Sequence, residues 1–251
     1  MSSEATTHFG ARDVPLDEKQ GLVDDVFHKV AARYDLMNDV MSFGAHRLWK
    51  DHLVAKVRPP RKGPYAHLDV AGGTGDVAFR VADASSHEAR VTVLDINADM
   101  LKVGQERAAK RKDAAKLRFV EGNAEDLPLP DNSFDAYTIA FGIRNVTDIP
   151  AALREAHRVL RFGGRFFCLE FSTMEWPGVA ALYDTYSHRV VPQIGKYVAK
   201  DEEAYRYLVE SIRRFPPMTE FTAMIAQAGF VRATCRPILG GLVAIHSGWK
   251  A

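Results

Sequence analysis

The chain opens with two segments whose apolar residues recur at helical spacing. In the first segment, between positions 17 and 34, these residues are Val23, Val26, Phe27 and Val30. The second helical pattern runs from about Arg47 to Val57. Because this spacing gives a helix one apolar stripe that packs on the rest of the protein, we predict an N-terminal helical cap over residues 1–60.

From Tyr65 onward, short apolar runs typical of strands alternate with helical patterns. The strand-like runs are AHLDVA, RVTVLDI, LRFVEG, FDAYTIAF and GRFFCLEF. We expect helices to begin at Asp76, Ala98 and Pro150. This alternation predicts an α/β fold with a doubly wound, parallel sheet, whose core covers residues 61–171.

The tail adds a last helix and two more strand-like runs, within residues 216–251. The runs FVRATCRPI and GLVAIHSGW are joined across Gly240 and Gly241 closely enough to pair antiparallel. The sheet is therefore expected to be seven-stranded and mostly parallel. The whole chain, residues 1–251, is expected to form one domain.

One connection is longer than such a sheet requires. A single crossover helix would join Phe171 to Phe230, yet a further segment intervenes, and we expect a helical insertion over residues 172–215. It holds five of the eight tyrosines: Tyr183, Tyr186, Tyr197, Tyr205 and Tyr207. Tyrosines suit a substrate wall or lid that is apolar with polar tips; a small helical subdomain packing its own aromatic residues is the alternative.

Composition narrows the class of protein. The 33 Lys and Arg residues balance 32 Asp and Glu residues, so no strong positive field favours nucleic acid. Cys168 and Cys235 lie in strand-like stretches and are expected to be buried thiols in a reducing compartment. No long apolar run or signal-like N-terminus is present. We predict a cytoplasmic protein, with no metal site because the nine histidines lack paired ligand spacing.

The segment LDVAGGTGD places glycines between two carboxylates, Asp69 and Asp76. The pattern Gly73-x-Gly75 also fits a dinucleotide fingerprint, with Asp95 as the ribose-binding acid. A carboxylate at the start of the helix would, however, repel a pyrophosphate. It would instead attract the sulfonium or ammonium group of S-adenosyl-L-methionine, unless Asp76 only favours the helix dipole.

A third strand end is followed by EGNAEDLPLPDNSFD. Ligands of doubly wound sheets bind at the carboxyl ends of the strands, so Asn123 and Ala124 are expected beside an adenine edge, where Asn123 can donate and accept hydrogen bonds. A polar turn is the alternative, because Asn, Pro and Asp are common there.

Several motifs, in this order and spacing, resemble the ubiquinone/menaquinone biosynthesis C-methyltransferase family (UbiE). They are LDVAGGTGD, VLDIN, GNAEDLPLPDNSFD, FGIRNVTD, ALREAHRVLRFGGRFFCLEFS, YSHRVVPQIG and AYRYLVESIRRFP. The resemblance runs from about Lys19 to the C-terminus. It implies a Rossmann-like class I methyltransferase fold, S-adenosyl-L-methionine as methyl donor, and S-adenosyl-L-homocysteine as product.

The resemblance also implies the cofactor-binding residues. The positions that match the family are Thr74, Asp95, Asn123, Ala124 and Ala140. To these we add Asp69, Gly73, Gly75 and Ile96. Many relatives have Ser where this chain has Ala140, so only the backbone can bind there.

The implied acceptor is a membrane-borne polyprenyl benzoquinol, of the 2-methoxy-6-polyprenyl-1,4-benzoquinol type, or demethylmenaquinol. Ionising such a phenol, with a pKa of about 10, costs roughly 4 kcal/mol at pH 7. Arg144 is expected to stabilise the phenolate, with an ion pair to a neighbouring acid as its alternative role, and Asn145 to orient the quinol or a water. A water, His188 or Asp148 is expected to accept the proton.

The expected partners follow from this acceptor. The enzyme must make transient contact with the inner face of the membrane or with a quinone-biosynthesis complex, and a homodimer is left open. A cap carrying Phe27, Tyr34, Asp35 and Asn38 is expected to cover the cofactor, and the insertion to form the acceptor tunnel. The alternatives are methylation of another phenolic or lipid acceptor, an NAD-dependent oxidoreductase, and a non-catalytic scaffold.

Overall fold

A computed structural model describes residues 6–10, 12–15, 18–23, 39, 42, 44–172 and 202–251. Within these ranges, seven strands form one sheet: β3 (Tyr65–Val70), β4 (Ala89–Asp95), β5 (Leu117–Glu121), β6 (Phe134–Ala140), β7 (Leu160–Phe171), β8 (Val231–Ile238) and β9 (Val243–Trp249). The order across the sheet is β5-β4-β3-β6-β7-β9-β8. The first five are parallel, whereas β9 is antiparallel to both β7 and β8. The predicted mostly parallel, seven-stranded, Rossmann-like fold is confirmed.

Helices cover both faces of this sheet. They are α1 (Ala45–Val57), α2 (Asp76–Ala84), α3 (Ala98–Ala108), α4 (Ile149–Val159), α5 (Glu202–Arg214) and α6 (Met218–Gln227). Two of the predicted starts, Asp76 and Ala98, are confirmed; α4 begins one residue before Pro150 because Asp148 caps it, accepting a hydrogen bond from the Ala151 N–H at 2.9 Å. None of the helices in the described ranges is long and apolar enough to cross a membrane.

Two apolar layers hold the helices on the sheet. On one face Trp49, Leu53 and Val81 of α1 and α2 pack against the central strands. On the other face Leu153 of α4 and Phe221 of α6 do the same. Since both faces of the central strands are covered, their near-continuous apolar runs are explained.

The N-terminal region differs from the prediction of a purely helical cap. Residues 18–23 are helical, but β1 (Thr6–Phe9) and β2 (Arg12–Pro15) form an antiparallel hairpin. The hairpin packs on α5, where the Phe9 and Tyr207 rings stack with centroids 4.5 Å apart. An apolar pattern of only four residues per strand gives too little periodicity for a hairpin to be predicted.

The two cysteines also differ from each other. Cys168 on β7 is buried, as predicted, but Cys235 on β8 is only half-buried, so the prediction is wrong for Cys235. Strand β9 separates β7 from β8, which puts the two backbones about 9–10 Å apart, too far for a disulfide.

Candidate active site

A cleft opens at the carboxyl edge of the sheet, where β3 meets β6. The chain order reverses between these neighbours, which is the usual position of ligands in doubly wound sheets. The backbone there is strained and close-packed: Ala71 and Phe141 have φ of 49° and 59°, and a Cβ added to Gly142 would lie 2.4 Å from the Ala71 Cβ. Such strain concentrates at functional sites.

The glycine loop after β3 forms the floor of this cleft. Gly73 and Gly75 have φ of 52° and 86°, which side-chain-bearing residues seldom adopt. A Cβ on Gly72 would lie 2.7 Å from the Val93 side chain, so the loop lies directly on β4. Gly73 and the buried Thr74 line the cleft, whereas Gly75 caps α2 and does not line it.

Asp69 lies at the bottom of the cleft and is 1% exposed. Its Oδ1 accepts a hydrogen bond from the Thr138 hydroxyl at 2.7 Å, while its Oδ2 makes no full hydrogen bond with the described residues. Burial raises the pKa of Asp69 to about 7, against the lowering effects of Thr138 and of the Lys50 charge. The cleft thus contains a carboxyl group that lacks a counter-charge at contact distance.

Asp76 at the start of α2 is paired within the protein. Its Oδ2 accepts a hydrogen bond from Lys50 Nζ at 2.9 Å, and its Oδ1 from Arg80 Nε at 3.0 Å. Lys50 and Asp76 both line the cleft. This wall therefore presents charges of both signs, which suits the zwitterionic end of an amino acid.

Asp95 and Ile96 follow β4 and line the next part of the cleft. The Asp95 carboxylate is fixed by two backbone donors, since Gly73 N–H reaches its Oδ2 at 2.8 Å and Asn97 N–H its Oδ1 at 2.9 Å. A carboxylate oxygen can accept more than one hydrogen bond, so the hydroxyl groups of a ribose are suitable further donors to Asp95.

The far wall is formed by residues after β5 and β6. Asn123, Ala124 and Ala140 line it, and Asn123 Oδ1 accepts the Glu125 N–H at 2.9 Å. With its oxygen engaged, Asn123 offers its amide NH₂ to a ligand. The cleft encloses about 960 Å³, partly open to solvent, which is ample for a nucleoside-sized molecule.

The residues present fit S-adenosyl-L-methionine in their chemistry. Asp69 offers an uncompensated carboxyl group to a cation, and Asp95 offers acceptors to a ribose. Asn123 offers a donor to an adenine edge. No strongly cationic cradle for a pyrophosphate lines the cleft among the described residues, because the one lysine there is bound to Asp76.

Arg144 lies in a 3₁₀ turn, Ile143–Asn145, directly after β6. Its side chain is 3% exposed, and its Nη1 donates to Glu170 Oε1 at 2.7 Å and to the Phe141 carbonyl at 2.6 Å. Glu170 is 1% exposed, and burial raises its pKa despite the Arg144 charge. The guanidinium does not line the cleft in the described part of the chain, and the ion pair with a neighbouring acid is present.

Asn145, the next residue, does line the cleft. Its Oδ1 accepts a hydrogen bond from the Tyr207 hydroxyl of α5 at 2.9 Å. Tyr207 is itself buried and stacked on Phe9. Thus α5 and the N-terminal hairpin together fix the orientation of the Asn145 amide.

Comparisons with known proteins agree with this geometry. The family model described as the ubiE/COQ5 methyltransferase family matches residues 14–250. The chain belongs to this family. A relative from Rhodopseudomonas palustris (strain HaA2) is 59% identical over 98% of this chain and 97% of its own length. One from Methylobacterium nodulans is 60% identical over 99% and 98%. Both relatives are named ubiquinone/menaquinone biosynthesis C-methyltransferase UbiE.

Solved structures show the same fold at lower identity. A methyltransferase of Haloferax volcanii, in complex with the Trm112 activator, has a TM-score of 0.63 and 20% identity, over 90% of this chain and 96% of its own. A SAM-dependent methyltransferase of Thermotoga maritima has a TM-score of 0.62 and 18% identity, over 90% and 100%. These similarities show the architecture alone.

Several residues of this family member's cleft were not predicted from the sequence. Lys50 was missed because a lysine on a helical pattern indicates only a solvated face. Tyr207, which does not itself line the cleft, was predicted only as one of five tyrosines of a wall or lid, and its hydrogen bond to the cleft residue Asn145 was not predicted. Gln20 and Val23 of the helical segment line the cleft, and Lys19 Nζ anchors that segment by donating to the Val146 carbonyl at 2.9 Å.

Other residues predicted for the site lie outside the cleft, or outside the part of the protein that the structure describes. The exposed Asp148 caps α4. The predicted cap residues Phe27, Tyr34, Asp35 and Asn38, and the candidate proton acceptor His188, lie outside the described residues, as do residues 173–201 of the insertion. Of the insertion, the structure describes Ser172 and residues 202–215, which comprise α5 and the buried Phe215.

Proposed function

We propose that this methyltransferase transfers a methyl group to a ring carbon of a polyprenyl benzoquinol, of the 2-methoxy-6-polyprenyl-1,4-benzoquinol type, or of demethylmenaquinol. The single observation that carries the proposal is the identity of 59–60%, over nearly the full length, to relatives named ubiquinone/menaquinone biosynthesis C-methyltransferase UbiE. The cleft chemistry supports it, because a cation-seeking carboxyl group and a ribose acceptor occur together.

Asp69, Thr74, Asp95, Asn123 and Ala124 are the residues proposed to hold S-adenosyl-L-methionine, with Gly73, Gly75, Ile96 and Ala140 shaping the backbone around it. When bound, this cofactor supplies an electrophilic methyl group and leaves as S-adenosyl-L-homocysteine, while the acceptor loses one proton overall. The residues of the chain then have three tasks: to bind, to orient, and to favour an electron-rich ring.

Arg144 and Asn145 are the proposed catalytic residues on the acceptor side. A quinol ring becomes nucleophilic at carbon when a hydroxyl group ionises, and a nearby guanidinium favours that ionisation. The Arg144 Nε has no hydrogen-bond partner among the described residues, so it retains a donor beyond those that Glu170 and Phe141 use. Asn145 presents its amide to the cleft and is proposed to orient the acceptor.

The direct test is methyl transfer from labelled S-adenosyl-L-methionine to a short-tailed, chemically reduced methoxy-benzoquinol, with the label located by mass spectrometry. Label on ring carbon is the expected result. Cofactor binding without transfer would point to another phenolic or lipid acceptor, and binding of neither cofactor nor quinol would favour a scaffold. Enhanced NADH fluorescence on binding would favour the oxidoreductase.

Tyr207→Phe should lower kcat about tenfold, the value of one hydrogen bond of about 1.4 kcal/mol, while leaving the affinity for S-adenosyl-L-methionine unchanged. Phenylalanine retains the stack on Phe9 but no longer fixes the Asn145 amide. Steady-state kinetics with the quinol, together with calorimetric cofactor binding, checks this. An unchanged kcat would contradict the role of Asn145 in orienting the acceptor.

A polyprenyl acceptor resides in a bilayer, so we also propose transient contact with a membrane surface or a quinone-biosynthesis complex. The turn between β8 and β9 supports a membrane contact: it lies at the carboxyl edge of β7, like the cleft, and Leu239 in it is 56% exposed. The same transfer assay with the acceptor in phospholipid vesicles tests this contact. A homodimer is left as a further proposal.

A further inference from the structure

The central strand β3 carries polar residues where a buried strand is normally apolar. Tyr65, His67 and Asp69 alternate along it, so all three lie on the same face. None is more than 6% exposed. Because buried polar groups cost free energy that apolar side chains would not, their presence calls for a role.

These residues form one continuous chain of hydrogen bonds. The Tyr65 hydroxyl lies 3.0 Å from His67 Nδ1, His67 Nε2 lies 2.9 Å from Thr138 Oγ1, and Thr138 donates to Asp69 Oδ1 at 2.7 Å. Thr138 lies on β6 directly beside Asp69 in the strand register. The chain therefore runs inside the sheet from its amino edge to the cleft.

The donor and the acceptor in each of these hydrogen bonds can be assigned from the protonation state of His67 and from the hydrogen bond between Thr138 and Asp69. Burial lowers the pKa of His67 to about 3, so the imidazole is neutral and has one N–H. Since the Thr138 hydrogen is committed to Asp69, Thr138 must accept from His67 Nε2–H. His67 Nδ1 then accepts from Tyr65. All donors thus point toward Asp69, and aligned hydrogen bonds of this kind strengthen one another.

The chain also determines which part of Asp69 remains available. Oδ1 accepts from Thr138. Among the side-chain polar atoms of Tyr65, His67, Thr138 and Asp69, only Asp69 Oδ2 makes no full hydrogen bond with the described residues. We propose that Tyr65, His67 and Thr138 form a directed relay that positions Asp69 as the counter-charge of the cationic methionine part of the cofactor, and that cofactor binding releases the proton of those molecules in which Asp69 is still neutral. This inference rests on the proposed cofactor.

Around Asp69, the other charged and titratable groups in the described residues are Lys50 on α1, Asp76 on α2, His67 on β3, Tyr137 on β6 and Asp95 at the end of β4. The Lys50 charge lowers the pKa of Asp76, which stays ionised. Burial lowers the pKa of His67 and raises that of Tyr137, so both stay neutral. Asp69, with a pKa of about 7, is the group that titrates near neutral pH.

Binding of a cation beside Asp69 should lower the pKa of this carboxyl group. A cation within about 4–6 Å favours the ionised carboxylate and lowers its pKa by about 1–3 units. Below pH 7 the free protein holds the Asp69 proton and must release it on binding, whereas above pH 8 it is already ionised. Affinity should therefore rise with pH through about 7. Proton release should be about 0.4–0.9 at pH 6, depending on the size of the shift, about 0.4–0.5 at pH 7, and close to zero well above pH 8.

Proton release is measured by calorimetry of S-adenosyl-L-methionine binding in buffers of different ionisation enthalpy, between pH 6 and 7.5, where the ligand ammonium stays mostly charged. Asp69→Asn provides the background from all other groups. S-adenosyl-L-homocysteine, which lacks the sulfonium, is the second ligand. Release with both ligands assigns the ammonium as the cation, and release with the methyl donor alone assigns the sulfonium; either outcome supports the proposal.

Binding without any proton release would overturn this inference and leave the proposed function intact. Absence of binding at every pH would instead count against the proposed cofactor.

Thr138→Val tests the relay itself. Loss of the hydroxyl should raise the pKa of Asp69 by about one unit, so affinity should be about fivefold below wild type at pH 7 and nearly equal at pH 8.5. The ratio to wild type cancels the titration of the ligand. Thr138→Ser should restore the profile, and Thr92→Val, a buried threonine on the neighbouring strand, should not alter it. A loss equal at both pH values would mean a structural role only and would overturn the relay.

A second measurement needs no variant at Thr138. In the complex, the ¹⁵N shifts of the His67 ring, assigned with His67→Asn, should report a neutral imidazole protonated at Nε2. Protonation at Nδ1 would show that His67 donates to Tyr65 instead of to Thr138, and this result would overturn the proposal.

Discussion

Replacing Arg144 by methionine is expected to lower the free energy of unfolding by about 3–5 kcal/mol and to abolish methyl transfer. The loss of stability follows because Glu170, 1% exposed, would be left as an unpaired buried charge. For a chain of this length the change corresponds to a fall in Tm of roughly 6–20 °C. Thermal unfolding and the labelled-methyl assay measure the two effects.

A double-mutant cycle with Glu170→Gln separates stability from catalysis. Glutamine removes the charge but keeps an oxygen for the Phe171 N–H, which Glu170 Oε1 accepts at 2.9 Å. The double variant should therefore recover most of the stability. If it remains inactive while binding the cofactor, Arg144 acts on the acceptor. Recovery of transfer along with stability would limit Arg144 to the ion pair.

Asp95→Ala is expected to weaken binding of S-adenosyl-L-methionine by at least about 100-fold. The two ribose hydroxyl groups would each lose a hydrogen bond to the Asp95 carboxylate, and a hydrogen bond to a charged group contributes about 1.5–3 kcal/mol. The glycine loop should also loosen, since Gly73 N–H loses its partner at 2.8 Å. Calorimetric titration measures the affinity.

Glu121→Ala is the matched control for this variant. Glu121 ends the neighbouring strand in register with Asp95, but it is exposed and does not line the cleft. Affinity should stay at the wild-type value in this control. Asp95→Asn keeps one acceptor oxygen for the Gly73 N–H, so its affinity for S-adenosyl-L-methionine should lie between those of Asp95→Ala and Glu121→Ala. Equal affinities in all three variants would contradict the ribose-binding role of Asp95.

Most of the sheet, and the position of several cleft residues at one edge of it, were predictable from the sequence. Strand and helix periods depend on residues close together in the chain, so the starts of α2 and α3 were predicted at the observed residue. The topology of a doubly wound sheet then brings Asp69, Asp95 and Asn123 to one edge, because parallel strands end on the same side.

The contacts of Arg144 and Asn145 and the other electrostatic pairs were not predictable in the same way. Arg144 and Glu170 are 26 positions apart, and Tyr207 and Asn145 are 62 apart. The ion pair between Lys50 and Asp76 joins helix α1 to the start of α2, next to the glycine loop. Such contacts depend on the order of strands and the packing of helices, about which local periodicity carries no information.

The sequence by itself determined the strand and helix periods, the glycine turn and the family motifs, because each is encoded in neighbouring residues. Only the tertiary structure decided which charges are compensated. It showed that Asp76 is neutralised by Lys50 and Arg80 and that Arg144 is neutralised by Glu170. It also showed that Asp69, at the end of a buried relay, keeps an oxygen without a partner in the described residues. Charge compensation depends on distances of a few ångströms between distant segments, and only packing sets those distances.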